Sequence, residues 1–161
     1  MALSPPVPRK HLHTREIRCF GYEREDGLWD IEGSITDLKT YPFANLDRGT
    51  VSPGQPVHHM TVRLTVDKRL VVRDAEAEVL ASPYNMCPEI AAGVAGLKGL
   101  RIAAGWTRDV KRVIGRTRGC THITQLLLGP VAVAAYQTIV PKRQREHRER
   151  GEKDTPSNIL D

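Results

Sequence analysis

Five side chains of the kinds that bind metal ions or act as nucleophiles are candidates for one shared site. Cys87 and Cys120 each stand directly before a segment with helical patterning, and His122 follows Cys120 by two residues. His58 and His59 begin a strand-like segment after a loop rich in proline and glycine. The amides at a helix N-terminus lower the pKa of a thiol and favour the thiolate, which binds metal or attacks carbon. Two thiolates with one or two imidazoles predict a tetrahedral zinc site or an iron–sulfur cluster.

The same residues could instead serve a small enzyme. Cys120 would act as nucleophile with His122 as its base, or a bound metal would support a lyase or hydrolase reaction on a small molecule. Asp30 and Glu32 share one face of a predicted strand, where they could contact a substrate, and Arg24 can pair with either carboxylate.

Structural explanations compete with each of these hypotheses. Free cysteines often fill a core as small hydrophobic residues, and no pair here has the close C-x-x-C spacing of a specific zinc motif. A polar outer strand face accounts for Asp30 and Glu32 equally well. A third hypothesis is a non-enzymatic interaction module whose basic C-terminal segment docks an acidic partner protein.

The overall composition favours one domain with short tails. Of the formal net charge of +5, more than half comes from residues 142–153, where six Lys or Arg stand against three Glu. These glutamates are spaced to pair along a solvated helix, and aromatics make up only 5% of the chain, so a nucleic-acid partner is not favoured. The chain shows neither a signal peptide nor a long uninterrupted apolar run, and its three cysteines are widely spaced. We therefore expect a reduced, cytoplasmic protein without a membrane span.

Hydrophobic periodicity changes from two to 3.6 near Pro83 and predicts an α+β fold. Alternating residues predict four antiparallel strands at 13–23, 28–36, 57–66 and 70–80, with a long loop at 37–56. Helices are expected from Pro88 to Gly99, after a cap at Thr107, and across residues 119–140. Three helices should cover one face of the sheet. The predicted organisation is a disordered tail at 1–11, one domain at 12–141, and a basic helical extension and tail at 142–161.

The last helix is apolar on all sides, which predicts that it is the central, buried helix of the domain. Thr121 is its expected N-cap. Pro130 should kink or split it, and Pro141 should end it.

Two motifs, GYEREDGLWDIEG at residues 21–33 and GCTH at 119–122, resemble those of a bacterial family known only as a domain of unknown function. The likeness extends roughly from His11 to Pro141. It implies a common fold and brings no established activity.

Residues 58–136 are also similar, more weakly, to the iron–sulfur cluster scaffold family in the order of their elements. This resemblance implies that Cys87 matches the family's middle cysteine and Cys120 its last, with His58 or His59 near its metal-site aspartate. The family's first cysteine has no counterpart, and its histidine precedes the last cysteine, whereas His122 follows Cys120. The resemblance implies an iron–sulfur-scaffold-like fold with a metal pocket.

Overall fold

The computed structural model describes residues 3–85, 91–115 and 119–151. Within these ranges the strands precede the helices along the chain. Their bounds are β1 (His13–Glu23), β2 (Trp29–Lys39), β3 (Phe43–Asn45), β4 (Gly49–Val51), β5 (Pro56–Val66), β6 (Val72–Ala81), a 3₁₀ helix (Ala92–Leu97), α1 (Trp106–Ile114), α2 (Thr121–Leu128) and α3 (Pro130–Glu149).

Four strands form an antiparallel sheet in the order β1-β2-β5-β6, and β3 pairs with β4 in a separate small hairpin. Alternate residues of β2, including Trp29, Ile31 and Ile35, are buried, as expected for a strand with one face on the core. The β1–β2 turn contains Gly27 at a φ of 80°, a left-handed conformation that glycine adopts without strain. The loop predicted at 37–56 is wrong at both of its ends and in its middle. β2 continues to Lys39, β3 and β4 interrupt the middle, and β5 already begins at Pro56.

The predicted α+β class, with an antiparallel sheet and three helices, is confirmed. The core forms between the sheet and the helices, and its members are almost completely buried. It includes Ile31, Met60 and Leu64 from the sheet and Leu126 and Ile139 from the helices. The opposite sheet face carries ion pairs such as Arg63–Glu32 and remains open to solvent.

Several predicted helix ends differ from the structure. The long apolar segment is split at Gly129 and Pro130, as predicted, but α2 is capped by Cys120, and Thr121 is its first helical residue. The expected stop at Pro141 is wrong, because this proline lies inside α3. A proline removes one backbone hydrogen bond, and the good helix formers after it can continue the helix.

Salt bridges also stabilise the part of α3 that follows Pro141. Lys142 contacts Glu23 on β1 and Glu146 one turn further along the helix. α1 begins at Trp106, one residue before the expected cap at Thr107, and ends at Ile114 with Gly115 as its C-cap, the residue predicted to close it. Of the helix expected from Pro88, the first residues lie outside the described ranges. The described part is the 3₁₀ helix.

One helical stretch, Thr121–Glu149, is long and apolar enough by composition to cross a membrane, although no span was expected from the sequence. Val131, Ala135 and Ile139 on this stretch are fully buried against the sheet and its neighbouring helices. One face of the stretch is thus buried, as in a helix that packs on a sheet, and 39% of its apolar window is buried in all. The cytoplasmic location stays a prediction.

Gly33 allows α3 to approach the sheet closely. A Cβ atom at Gly33 would lie 2.5 Å from Cγ2 of Val131 and 3.5 Å from Cγ2 of Val62. Gly21 on β1 is in a similar position, because a Cβ there would overlap the side chain of Thr138. The two glycines that bound the GYEREDGLWDIEG motif therefore set the distance between α3 and the sheet.

We expect Gly33→Ala to lower the free energy of unfolding by about 1–3 kcal/mol, because the added methyl group overpacks the interface with α3. Val131→Ala in the same chain should restore part of this loss, and denaturant unfolding of the two single variants and the double variant measures the coupling. Ser34→Ala, on the open face of the same strand, is the matched control. Strictly additive losses would show that Gly33 does not set this contact.

Candidate metal centre

Three polar side chains lie side by side on neighbouring strands at one end of the covered sheet face. Arg15 on β1 is paired in register with Asp37 on β2, and Asp37 is paired with His58 on β5. Asp37 continues the buried positions of Ile31 and Ile35 at a period of two, so its carboxylate points to the core side. A register shift directly after Asp37 ends the regular pairing of β2 with β5. Such irregularities often occur beside functional sites.

The start of α2 covers this row. It brings Nε2 of His122 to 3.8 Å from Oδ2 of Asp37. The imidazole rings of His122 and His58 lie with their centroids 3.9 Å apart and their planes inclined by 32°. Gln125, one helical turn later, accepts a 2.9 Å hydrogen bond from Nη1 of Arg15. The helix therefore completes a cluster that the sheet begins.

The carboxylate of Asp37 is the centre of the cluster and is only 3% exposed. Arg15 donates to both of its oxygens, with Nε 2.8 Å from Oδ1 and Nη2 2.8 Å from Oδ2. Nε2 of His13 lies 2.9 Å from Oδ1, and Nδ1 of His58 lies 3.0 Å from Oδ2. A buried charge is tolerated when it is paired and fully hydrogen-bonded, and this one is.

The pKa values of the cluster follow from burial and charge. Burial alone would raise the pKa of Asp37, but the hydrogen bonds from Arg15 and His13 and the charge of Arg15 outweigh it and hold that pKa at about 2. Burial lowers the pKa of His58, with Asp37 opposing part of the shift. Burial also lowers the pKa of His122, with a further contribution from His58. Around neutral pH the site therefore combines one carboxylate with two neutral imidazoles.

Asp37, His58 and His122 have the composition and spacing of a metal-binding triad. One ligand atom from each lies within 4.8 Å of the other two. The ligands of a tetrahedral ion with bonds of ~2.1 Å are ~3.4 Å apart, and the distances of 3.0 and 3.8 Å from Oδ2 to the two imidazoles lie on either side of that value. Neutral imidazole nitrogen and carboxylate oxygen are ligands of zinc and other divalent transition metals.

Cys120 lies at the edge of this triad. Its Sγ is 3.8 Å from Nδ1 of His122 and 3.5 Å from Sδ of Met60, and it is partly buried beside the core. The thiol therefore contacts the far ring nitrogen of His122, while Nε2 of that ring faces Asp37. In this position the thiol of Cys120 can orient the imidazole ring of His122.

Of the other predicted site residues, Cys87 lies outside the described residues, and the expected approach of its sulfur to Cys120 stays a prediction. His59 is the next residue after His58 but lines a cavity on the open face of the sheet. Arg24, Asp30 and Glu32 also occupy positions on that open side, where Arg24 pairs with Asp30.

Asp37, Arg15 and His13 were not singled out from the sequence. Asp37 is the first residue of the predicted loop, and Arg15 and His13 belong to a predicted strand. The alternation of residues along β2, with a period of two, places Asp37 on the same face as Ile31 and Ile35. Continuing that alternation would have made Asp37 a buried carboxylate in need of partners.

The chain belongs to the DUF2889 family of proteins of unknown function, whose family model matches residues 13–137. The match extends across the whole cluster, from His13 on β1 to Gln125 on α2. A search of curated proteins found no match, and a search of solved structures found none either. The resemblance to a family of unknown function is therefore confirmed, whereas the likeness to the iron–sulfur scaffold fold has no support from a solved structure.

Proposed function

We propose that this member of the DUF2889 family binds one divalent transition-metal ion, zinc or an ion of similar ligand preference, through Asp37, His58 and His122. The observation that carries the proposal is the convergence of one carboxylate and two imidazoles, from three separate elements, within 4.8 Å of one another. The lowered pKa values of both histidines support it, because a metal binds the neutral imidazole without displacing a proton from it.

The ligand set favours a single ion over an iron–sulfur cluster. Such clusters are held mainly by several thiolates, and Cys120 is the one cysteine near the triad among the described residues. Its sulfur contacts His122 on the side away from Asp37. We therefore assign Cys120 to the support of His122 and the coordination of the ion to nitrogen and oxygen.

Three protein ligands leave at least one coordination position for water or substrate. Sites with three ligands and an open position are typical of catalytic zinc, whereas structural zinc sites have four protein ligands. The triad also borders an open cavity of about 410 Å³, lined in part by Asp37 and His58. This combination favours a metal-dependent enzyme acting on a small molecule over a structural metal site.

Because Arg15 already pairs with Asp37, a metal ion bound at the proposed site would need a further anion. Its guanidinium already neutralises Asp37, so a divalent ion adds positive charge that the described residues of the cluster do not balance. An anionic fourth ligand, such as hydroxide or the carboxylate of a substrate, would balance half of the ion's charge. A metal-bound water has a much lower pKa than bulk water, so hydroxide is available near neutral pH.

Titration of metal-free full-length protein with zinc tests the proposal. We expect one equivalent to bind, and at a free zinc concentration of about 100 Kd the ion should stabilise the fold by about 2.7 kcal/mol. For a domain of this size such a stabilisation raises Tm by roughly 5–10 °C.

His59→Ala is the matched control for this titration, because His59 neighbours His58 in sequence but lies on the other face of the sheet. The variant should bind zinc like the unmodified chain. Absence of saturable zinc binding, or equal loss of binding in the His59 variant, would contradict the proposal.

A further inference from the structure

The cavity beside the triad has two chemically different walls. Its inner part is formed by Asp37 and His58 together with Arg15. Its outer part is formed by Lys39 at the end of β2, Phe43 on β3 and the segment at Pro83 and Tyr84. A cavity of about 410 Å³ falls in the range that accommodates small organic ligands.

Lys39 is the cation of this cavity that is free to bind a ligand. Arg15 uses Nε and Nη2 on Asp37 and Nη1 on Gln125. Within the described ranges, no carboxylate lies within salt-bridge distance of the Lys39 ammonium group. Its Nζ lies instead 3.7 Å from the ring centroid of Phe43 and 5.2 Å from that of Tyr41.

Apart from Asn45 on β3, the remaining outer wall is formed by apolar and aromatic side chains. Val57 is 6% exposed beneath the cavity, and Pro83 is buried. Phe43 is half-buried, and Tyr84 keeps 58% of its surface exposed at the rim. A flat apolar group placed against Phe43 and Tyr84 would remove aromatic surface from water.

We propose that this cavity binds a small organic acid, with its carboxylate paired to Lys39 and a flat apolar body against Phe43 and Tyr84. A carboxylate matches the single free ammonium group. A phosphate group is less suitable, because it carries a charge of about −1.5 to −2 that one ammonium group neutralises only in part, and the donors of Arg15 are occupied.

The inference rests on the proposed function only for the orientation of the ligand. With the carboxylate at Lys39, the other end of the acid faces Asp37 and His58, where the proposed metal would contact it. The binding of the acid to Lys39 and Phe43 does not require the metal.

Ligand-observed NMR or calorimetry on the full chain, kept metal-free with a chelator, tests the inference with benzoate and with its neutral analogue benzamide. We expect benzoate to bind with a Kd on the order of 1 mM and benzamide to bind about tenfold more weakly. Lys39→Met should reduce benzoate binding to the level of benzamide. Lys68→Met, in the exposed β5–β6 turn, should leave it unchanged, and Phe43→Ala should weaken both ligands.

Three results would overturn the inference: no binding of benzoate, equal binding of benzoate and benzamide, or unchanged benzoate binding in the Lys39 variant. Benzoate that binds only to zinc-loaded protein, with no effect of Lys39→Met, would also overturn it, since the metal would then hold the carboxylate. Because the first titrations exclude metal, their outcome is separate from that of the zinc titration. A failure of either proposal is thus distinguishable from a failure of the other.

Discussion

Replacing Asp37 with alanine should lower the free energy of unfolding of the metal-free protein by about 3 kcal/mol. The substitution removes the shared acceptor of Arg15, His13 and His58 and leaves their donors beside a vacated buried space. Arg15 is 35% exposed and can turn partly toward water, which limits the loss. Denaturant unfolding with a chelator present measures the effect. Thr36→Ala, the preceding residue on the opposite face of β2, is the control.

This loss should depend on pH in a defined direction. The pKa of Asp37 is lowered from 3.8 to about 2 in the folded protein, so its contribution to stability is complete above pH ~4 and disappears as pH falls toward 2. The difference in unfolding free energy between the unmodified chain and Asp37→Ala should therefore shrink over that interval. A difference below about 0.5 kcal/mol at neutral pH would show that the carboxylate does not organise the cluster.

His122→Ala should weaken zinc binding by at least about 100-fold. The substitution removes one of three proposed ligands, which should exceed the 10–100-fold cost typical of losing a group that only supports a ligand. Cys120→Ser should cost about tenfold or less, because its sulfur contacts His122 on the side away from Asp37. Competition with a chromophoric chelator measures both affinities on one scale.

The reverse order of effects would change the assignment. Abolished binding in Cys120→Ser together with near-normal binding in His122→Ala would make the thiolate a ligand and the imidazole its support. A comparable loss in both variants would require a site that includes the sulfur. His59→Ala again separates an effect of the site from a general effect of removing a histidine.

Much of the sheet could be predicted because its signal is local. The alternation in β2 and β5 follows from one face packing on helices, and each turn carries glycine or aspartate. The same alternation, continued by one step beyond Ile35, would also have found Asp37. Proline and glycine further along the chain obscure this step, because they favour a loop that begins at Asp37.

The convergence of His58 with His122 could be anticipated only as a possibility. These residues are far apart in sequence, and their contact depends on where α2 crosses the sheet. The following helix, α3, packs closely on the sheet at Gly21 and Gly33, and single-residue propensities do not encode such tertiary contacts. The continuation of α3 through Pro141 was missed for a related reason, because the pairing of Lys142 with Glu23 is a tertiary contact.

A crystal structure of the zinc-loaded protein, with anomalous diffraction recorded on both sides of the zinc absorption edge, tests the central claim most directly. We expect one anomalous peak that lies ~2.0–2.2 Å from Oδ2 of Asp37 and from one ring nitrogen each of His58 and His122. The Sγ of Cys120 should lie well outside bonding distance. A peak ~2.3 Å from that sulfur, or a peak elsewhere on the molecule with this triad still joined by its hydrogen bonds, would contradict it.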